Sequence, residues 1–418
     1  MFAHAIIGAG WGDEGKGLAT DALAARLVAE EREVTVVRSN GGAQAGHGVT
    51  LPDGRHHVFH HVGSGSFSGA GTHLSQFFVC HPMVFFDEIE ALAGKGVSDL
   101  AISADPRAPI TTPWDMAINQ ALELSRSEGR HGSCGLGFGE TLERMEAGPV
   151  LRMKDLRSPE LRDLVRAIRD AWTPARMSAL GLSIPDGPLG EVLAGSDVVL
   201  DRYIEDLDRF AGVVSMQRDA GLRAADAIIF EGAQGLRLDM DLGEFPHVTR
   251  SFTGLPNMVN IAREAGIDAI EATYMTRAYA TRHGRGPLPH DRGTTPLDGT
   301  SVIDRTNVAN PWQEAVRYAP LHLRSMERII DADIARVGGT ASVSAALGIT
   351  CLDQVDEDIE LCIFKDDEYG RPGSACVTRG AVADVISEQL GRPLRMTSAG
   401  PTRADVTWSD GVTSPEPA

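Results

Sequence analysis

The amino-acid sequence predicts an α/β fold: a large, mostly parallel β-sheet with flanking helices, in one domain spanning residues 1–418. Three observations carry this. The chain opens as strand, glycine turn, helix and strand, a β-α-β start that implies a parallel sheet. Short apolar runs recur downstream, separated by stretches with helical spacing. Several of these runs end in polar, glycine-containing turns, the place where an open parallel sheet receives its ligand. Residues about 150–225 read as a helical insertion, and about 284–313 as a long loop rich in proline and glycine.

Taken in order, the first apolar run (residues 3–7) ends in Gly8-Ala9-Gly10-Trp11-Gly12-Asp13-Glu14-Gly15-Lys16-Gly17. Helical spacing follows in Leu18, Ala19, Ala22, Leu23, Ala25 and Leu27. Such a turn is a phosphate site, because glycines let backbone N–H groups approach an anion and the helix dipole favours its charge. Gly10 to Lys16 has the G-x-x-x-x-G-K spacing of a P-loop, but Gly17 replaces the Ser or Thr that would bind magnesium. Asp13 inside the turn is then a candidate base or metal ligand. Residues 34–38 form the second strand, and 39–49 a glycine-rich loop whose residues are read as loop chemistry. His56 to His61 alternate like a strand, which puts neighbours on opposite faces and disfavours a metal cluster. Residues 83–95 are helical and 100–102 a short strand, and a second glycine loop runs from 131 to 140. Residues 227–230 are a buried strand ending in Glu231-Gly232-Ala233-Gln234-Gly235, and 269–274 a strand leading into Arg277, Tyr279, Thr281, Arg282 and a loop at 283–287. A last strand lies within 341–352 and ends at Asp353.

Composition excludes some classes. A formal charge of −19 argues against a general nucleic-acid or membrane surface, so anionic ligands must be held by local basic and backbone groups. Five scattered cysteines with no C-x-x-C pair suit a reducing compartment and give no zinc framework. No apolar run approaches the roughly 18 residues of a membrane span, and chemistry that begins at residue 8 leaves no room for a leader, so a cytoplasmic location is expected.

Five motifs, in order, resemble the adenylosuccinate synthetase superfamily over nearly the whole length. They are Trp11-Gly12-Asp13-Glu14-Gly15-Lys16-Gly17; Gly41-Gly42-Ala43-Gln44-Ala45-Gly46-His47, with Gln44 in place of the family's Asn; Phe230 to Gly235, followed by Asp239, Asp241, Pro246, Val248 and Thr249; Arg277 to Pro287, like K-A-Y-T-T-R-x-G-x-G-P; and Ser398-Ala399-Gly400-Pro401, like S-T-G-P. The resemblance implies a P-loop-related fold and a C–N ligase that joins L-aspartate to C6 of a 6-oxopurine nucleotide through a 6-phosphoryl intermediate. It implies that Asp13 takes the purine N1 proton, that His47 donates to the transferring oxygen, and that Gln234 acts beside them. Gly12, Glu14, Gly15, Lys16, Gly17, Asp353, Ser398 and Gly400 would bind the nucleoside triphosphate. Mg2+ would be held by Asp13 and the Gly46 carbonyl. Gln44, Ser133, Arg144, Gln234 and Thr249 would bind the acceptor, Arg144 by reaching a neighbouring subunit, so a homodimer is expected.

Departures from the family bear on substrate choice. Where the family has an arginine-rich aspartate loop, this chain has Thr306-Asn307-Val308-Ala309-Asn310-Pro311-Trp312-Gln313 and, further on, Arg317. Asn307, Asn310 and Arg317 are the expected aspartate contacts, Arg317 on the α-carboxylate. The family's arginine to the ribose hydroxyls is missing. This loop, with Gly132-Ser133-Cys134-Gly135, resembles the phage-type branch that makes N6-succino-2-amino-2′-deoxyadenylate, so dGMP is the favoured acceptor and IMP with GTP the alternative. That branch often lacks the loop aspartate, whereas Asp13 is present here. Asp353 in Thr350-Cys351-Leu352-Asp353 argues for GTP, but Cys351 replaces a lysine that covers the base, so ATP stays open. A non-catalytic nucleotide-binding protein is the alternative of another class, disfavoured by Asp13, His47 and Gln234 occurring together.

Overall fold

The computed structural model describes residues 2–126, 133–302, 315–356, 361–366 and 372–409. Ten strands form the main sheet: β1 (Phe2–Gly8), β2 (Val34–Arg38), β3 (Gly71–Leu74), β4 (Ile102–Ala104), β5 (Ser215–Met216), β6 (Ala227–Gly235), β7 (Ala269–Arg277), β8 (Ser342–Thr350), β9 (Leu394–Ser398) and β10 (Val406–Trp408). Their order across the sheet is β10-β9-β8-β7-β1-β6-β2-β3-β4-β5. Every neighbouring pair is parallel except β9 with β10, an antiparallel edge. The expected fold class is therefore observed.

Parallel strands need crossovers that cover both faces, so the central strands read as continuous apolar runs. In β1, Ala3, Ala5 and Ile7 pack on one face, with helices α6 (Leu255–Ala265), α7 (Leu323–Ala335) and α8 (Val382–Leu390). On the other face Ile6 packs with Ala19, Leu23 and Leu27 of α1 (Lys16–Ala29). A further cluster, under the β3–β4 side of the sheet, draws on α2 (Pro82–Ala93) and α5 (Asp197–Val213), with Phe85, Leu92, Tyr203 and Phe210 at its centre. Two more helices, α3 (Pro113–Ser125) and α4 (Phe138–Ala147), lie between α2 and α5 in the chain.

Sheet order places the ligand crevice. β1 is central; the chain leaves it for β2 on one side, and β7, β8 and β9 stack on the other. Loops after neighbouring strands diverge at such a switch point and open a cleft at the carboxyl ends. The loops after β1, β2, β7, β8 and β9 carry Gly10–Lys16, residues 39–47, residues 278–283, residues 351–353 and Gly400, while Glu231–Gly235, expected as a turn, is the carboxyl half of β6 itself. Motifs far apart in sequence thus share one edge of the sheet.

Behind this edge, buried Asp333 of α7 ties three elements. It accepts hydrogen bonds from the Leu255 N–H that starts α6 (3.1 Å), from the Tyr274 hydroxyl of β7 (2.9 Å) and from Arg336 (2.7 Å). Asp333→Ala strands a buried N–H and a buried hydroxyl and removes one of the two carboxylates on Arg336. A loss of about 3 kcal/mol is expected from urea unfolding; an unchanged midpoint would contradict the assignment.

Candidate active site

The glycine turn is organised by its own acid. Glu14 Oε1 accepts from the N–H groups of Gly10 (3.0 Å) and Gly12 (2.8 Å), and its Oε2 pairs with buried Lys16 Nζ at 2.5 Å. The ammonium expected to bind phosphate is thus neutralised from within the turn. Gly15 reaches the N-terminus of α1 with φ 82°, and no side chain caps the helix there, which leaves its first N–H groups for an anion. A Cβ at Gly17 would lie 2.9 Å from the Gly48 carbonyl oxygen and 3.1 Å from His47 Cβ. The missing P-loop hydroxyl therefore has a steric cause: the His47 loop packs directly on the start of α1.

His47 is positioned by a buried carboxylate. Arg38 and Glu231 face each other in register on β2 and β6. Glu231 Oε2 lies 3.1 Å from Arg38 Nη1, and Oε1 lies 2.7 Å from His47 Nδ1 and also accepts from the Ser64 hydroxyl. Arg38 Nη1 lies 3.1 Å from the same Nδ1, but the shorter contact to an ionised carboxylate, which can only accept, assigns the proton to Nδ1 and leaves Nε2 buried without a partner. Burial lowers the His47 pKa to about 4, with Glu231 opposing and Arg38 assisting. Burial would raise Glu231, but His47, Arg38 and Ser64 hold it at about 2. Both residues were visible in the motifs; their pairing was not.

Asp13 has φ 63° and a carboxylate about a third exposed, 2.9 Å from His283 Nε2. Arg277 Nε donates to its backbone carbonyl. Burial works against its charged form, but the His283 hydrogen bond and the charges of Arg277, His283 and Lys16 prevail and hold it at about 2. Among the described residues no three of His, Cys, Asp and Glu gather into a metal cage, the His56–His61 run included. A divalent cation here would rest on the ionised Asp13 and on ligand phosphates, the usual habit of Mg2+.

Two amides point into one space. Around the point a Cβ on Gly41 would take, which the Ala233 Cβ already crowds at 2.7 Å, Gln234 Oε1 lies at 3.6 Å and Gln44 Nε2 at 3.8 Å; both atoms are buried and lack partners. Unsatisfied buried amides call for a polar ligand, and both were expected to meet the acceptor. Thr249 stands nearby in chain order, its N–H bonded to the Leu238 carbonyl at 2.7 Å. Ser133 Oγ donates to Asn119 Oδ1 at 2.9 Å, which makes it a loop anchor in this structure. Asp353 is exposed just past β8, and Ser398, at the end of β9, donates to the Gly400 carbonyl at 2.7 Å. Gly46 is exposed beside His47.

One expectation is corrected. Arg144 does not stand at a surface where it could reach another subunit. It is fully buried, forked on Asp115 (2.9 Å) and donating to the carbonyls of Ile110 (2.7 Å) and Pro149 (2.8 Å). The ground it offered for a dimer is withdrawn. Arg317 pairs with Asp291 (2.5 Å) and donates to the carbonyls of Gly284 and Gly286 (both 2.8 Å), partners that a substrate carboxylate would have to displace. Asn307 and Asn310 lie outside the described residues.

The His47 environment gives a pH prediction. A histidine whose folded pKa lies below its unfolded value of about 6.5 destabilises the native state as pH falls from about 6.5 to about 4, where the unfolded chain binds the extra proton. Urea unfolding at pH 7 and pH 5 should therefore show a smaller acid penalty for His47→Gln than for wild type; equal penalties would show that His47 is not buried neutral.

The sequence profile of the family described as Adenylosuccinate synthetase matches residues 5–305. An adenylosuccinate synthetase of Xanthomonas oryzae pv. oryzae is 34% identical over 311 residues, covering 72% of this chain and 67% of the relative. One of Anaeromyxobacter dehalogenans is 35% identical over 296 residues, 68% of this chain and 64% of the relative. The chain thus spans about two thirds of the relatives it matches. Among solved structures, the fully ligated adenylosuccinate synthetase of Plasmodium falciparum superposes with a TM-score of 0.73 at 19% identity, covering 98% of this chain and all of that one. The cyanophage S-2L succinoaminodeoxyadenylate synthetase, bound to dGMP and dATP, superposes at 0.60 with 15% identity, covering 97% and 95%. At these identities the two structures establish the fold alone. Together with the profile and the sequence identities, the glycine turn, the His47 loop and the amide pair make this chain a member of the adenylosuccinate synthetase family, the C–N ligases of adenylosuccinate formation.

Proposed function

We propose that this chain joins the amine of L-aspartate to C6 of a 6-oxopurine nucleotide while consuming a nucleoside triphosphate, with IMP as acceptor and GTP as donor. The observation that carries this reading is the pairing, on one sheet edge, of an ionised Asp13 with a His47 whose Nε2 is buried without a partner. The purine C6 oxygen is a poor leaving group, and phosphorylating it first solves the problem. Asp13 would accept the N1 proton and so raise the electron density on O6. For this the acceptor's N1–H must replace His283 on the carboxylate. Triphosphate anions beside Asp13 would raise its pKa and make it a better base.

His47 needs a proton before it can donate to the transferring phosphoryl oxygen. The same anions would raise its pKa, and Glu231 would stabilise the imidazolium through Nδ1. Lys16 and the N–H groups at the start of α1 would hold phosphate once the nucleotide competes with Glu14 for them. Mg2+, held by Asp13 and phosphate oxygens, with the exposed Gly46 carbonyl as a further ligand, would neutralise charge on the transferring group. Gln44 and Gln234 would satisfy their free amide atoms on the acceptor.

A second reading takes dGMP as the acceptor. It rests on the rewritten Thr306–Gln313 loop, where the family's arginine to the ribose hydroxyls is missing, together with Gly132-Ser133-Cys134-Gly135. Retention of Asp13 weighs toward IMP. Phosphate release measured with L-aspartate, Mg2+ and each of IMP, dIMP, GMP and dGMP, against ATP and GTP, separates the readings. Turnover with IMP and GTP is expected. Turnover with dGMP and little with IMP would establish the second reading. No aspartate-dependent release from any pair would leave a non-catalytic nucleotide-binding protein.

Asp13→Asn keeps the shape and removes the base. Its turnover is expected to fall by about 10²- to 10⁴-fold, the usual worth of general-base catalysis, while acceptor binding by calorimetry changes little. Retained turnover would refute the assigned base.

A further inference from the structure

A cavity opens beside the glycine turn, between the carboxyl ends of β1 and β7 and the N-terminus of α7. Its lining includes Trp11, Arg237, Arg277, His322 and Ser325. The one carboxylate among its lining residues, Glu14, is already spent on Lys16 and two backbone N–H groups. In a chain of net charge −19 this is a local excess of positive charge.

Arg237 is the distinctive member. Its backbone N–H donates to the Gly10 carbonyl at 2.9 Å, which pins the residue to the turn. Its guanidinium lies 5.6 Å from the centre of the Trp11 ring and donates to the Ser325 hydroxyl in the first turn of α7. Among the described residues no carboxylate lies within ion-pair distance of it; Glu244 acts on it only from further away. Burial accordingly disfavours its charge. A half-buried guanidinium stacked on an aromatic ring and left without an acid is a built receptor for a carboxylate. The start of the 13-residue helix α7, where His322 caps the Ser325 N–H at 3.3 Å, adds its dipole on the same side.

Location identifies the ligand. In the reaction proposed above, the attacking amine must reach C6, the atom next to the N1 that Asp13 faces. Reacting atoms must come within about 3–3.5 Å. The amino acid must therefore lie beside the segment before Asp13, and Gly10, Trp11 and Gly12 line this cavity. Arg317, expected to hold a substrate carboxylate, is engaged elsewhere.

We propose that Arg237, stacked on Trp11 and backed by the N-terminus of α7, binds a carboxylate of the L-aspartate substrate and selects that amino acid. The inference rests on the ligase reading for the identity of the substrate.

The test is equilibrium binding of radiolabelled L-aspartate, with acceptor nucleotide and a non-hydrolysable triphosphate present, to wild type, Arg237→Met and Arg237→Lys, beside steady-state kinetics. Losing a charged hydrogen bond corresponds to a weakening of roughly 10- to 100-fold. Arg237→Met should weaken aspartate binding and raise its KM by that factor, with nucleotide KM values and kcat at saturating aspartate near wild type. Arg237→Lys should recover some of the loss. Unchanged aspartate binding, or a rise in a nucleotide KM in its place, would overturn the proposal. Should Arg237→Met fail to fold, Arg237→Lys decides alone: it keeps the charge without the fork and must shift aspartate KM only. If wild type binds aspartate through Arg237 yet turns over no acceptor, the site stands and the reaction reading falls.

Discussion

The buried Glu231 carboxylate holds the reactive edge of this protein together. It sits where β6 meets β2, inside a sheet covered on both faces, and no water reaches it. One acid there neutralises Arg38, orients His47 and receives Ser64. Breaking a buried pair of this kind typically costs about 3–5 kcal/mol, because the remaining charge has no other partner. Removing Glu231 would also free the His47 ring to turn. Stability of the central strands and the aim of the one imidazole proposed to act on phosphate thus depend on the same two oxygens.

A second acid has a related role beside the neighbouring strand. Glu14 gathers the N–H groups of Gly10 and Gly12 and the ammonium of Lys16, so the glycine turn holds its shape on an internal anion. Glu231 is inside the sheet and Glu14 is in the loop, and only the second can yield its partners to a ligand. The switch point of the sheet brings the two together, since β1 and β6 are neighbours. That adjacency is a property of strand order, and it gathers the groups proposed to hold anions on one edge of an acidic chain.

Much of this was legible in the sequence. Strand runs of one residue type, ended by glycine and polar residues, located β1, β2, β6, β7 and β8 and put the motifs at their ends. The partners of charged side chains were not legible. Arg144 looked like a ligand contact because its acid, Asp115, lies a full helix earlier in the chain and nothing in spacing links them. The pairing of Arg317 with Asp291 was hidden for the same reason. Gly17 looked like a lost magnesium-binding hydroxyl, whereas contact with the His47 loop leaves no room for a side chain. Arg237 gave no signal: a lone arginine after a strand is common, and only the tertiary structure shows that it stacks on Trp11 without an acid beside it.

The central claim is that this edge phosphorylates the purine oxygen before the amine attacks. Positional isotope transfer tests it most directly. The acceptor is labelled with 18O at C6, turned over with L-aspartate, Mg2+ and the triphosphate, and the released phosphate is analysed by mass. The account predicts that each phosphate formed carries one 18O atom from the purine. Product formation with unlabelled phosphate would contradict it, because the C6 oxygen would then have left without passing through a phosphoryl ester.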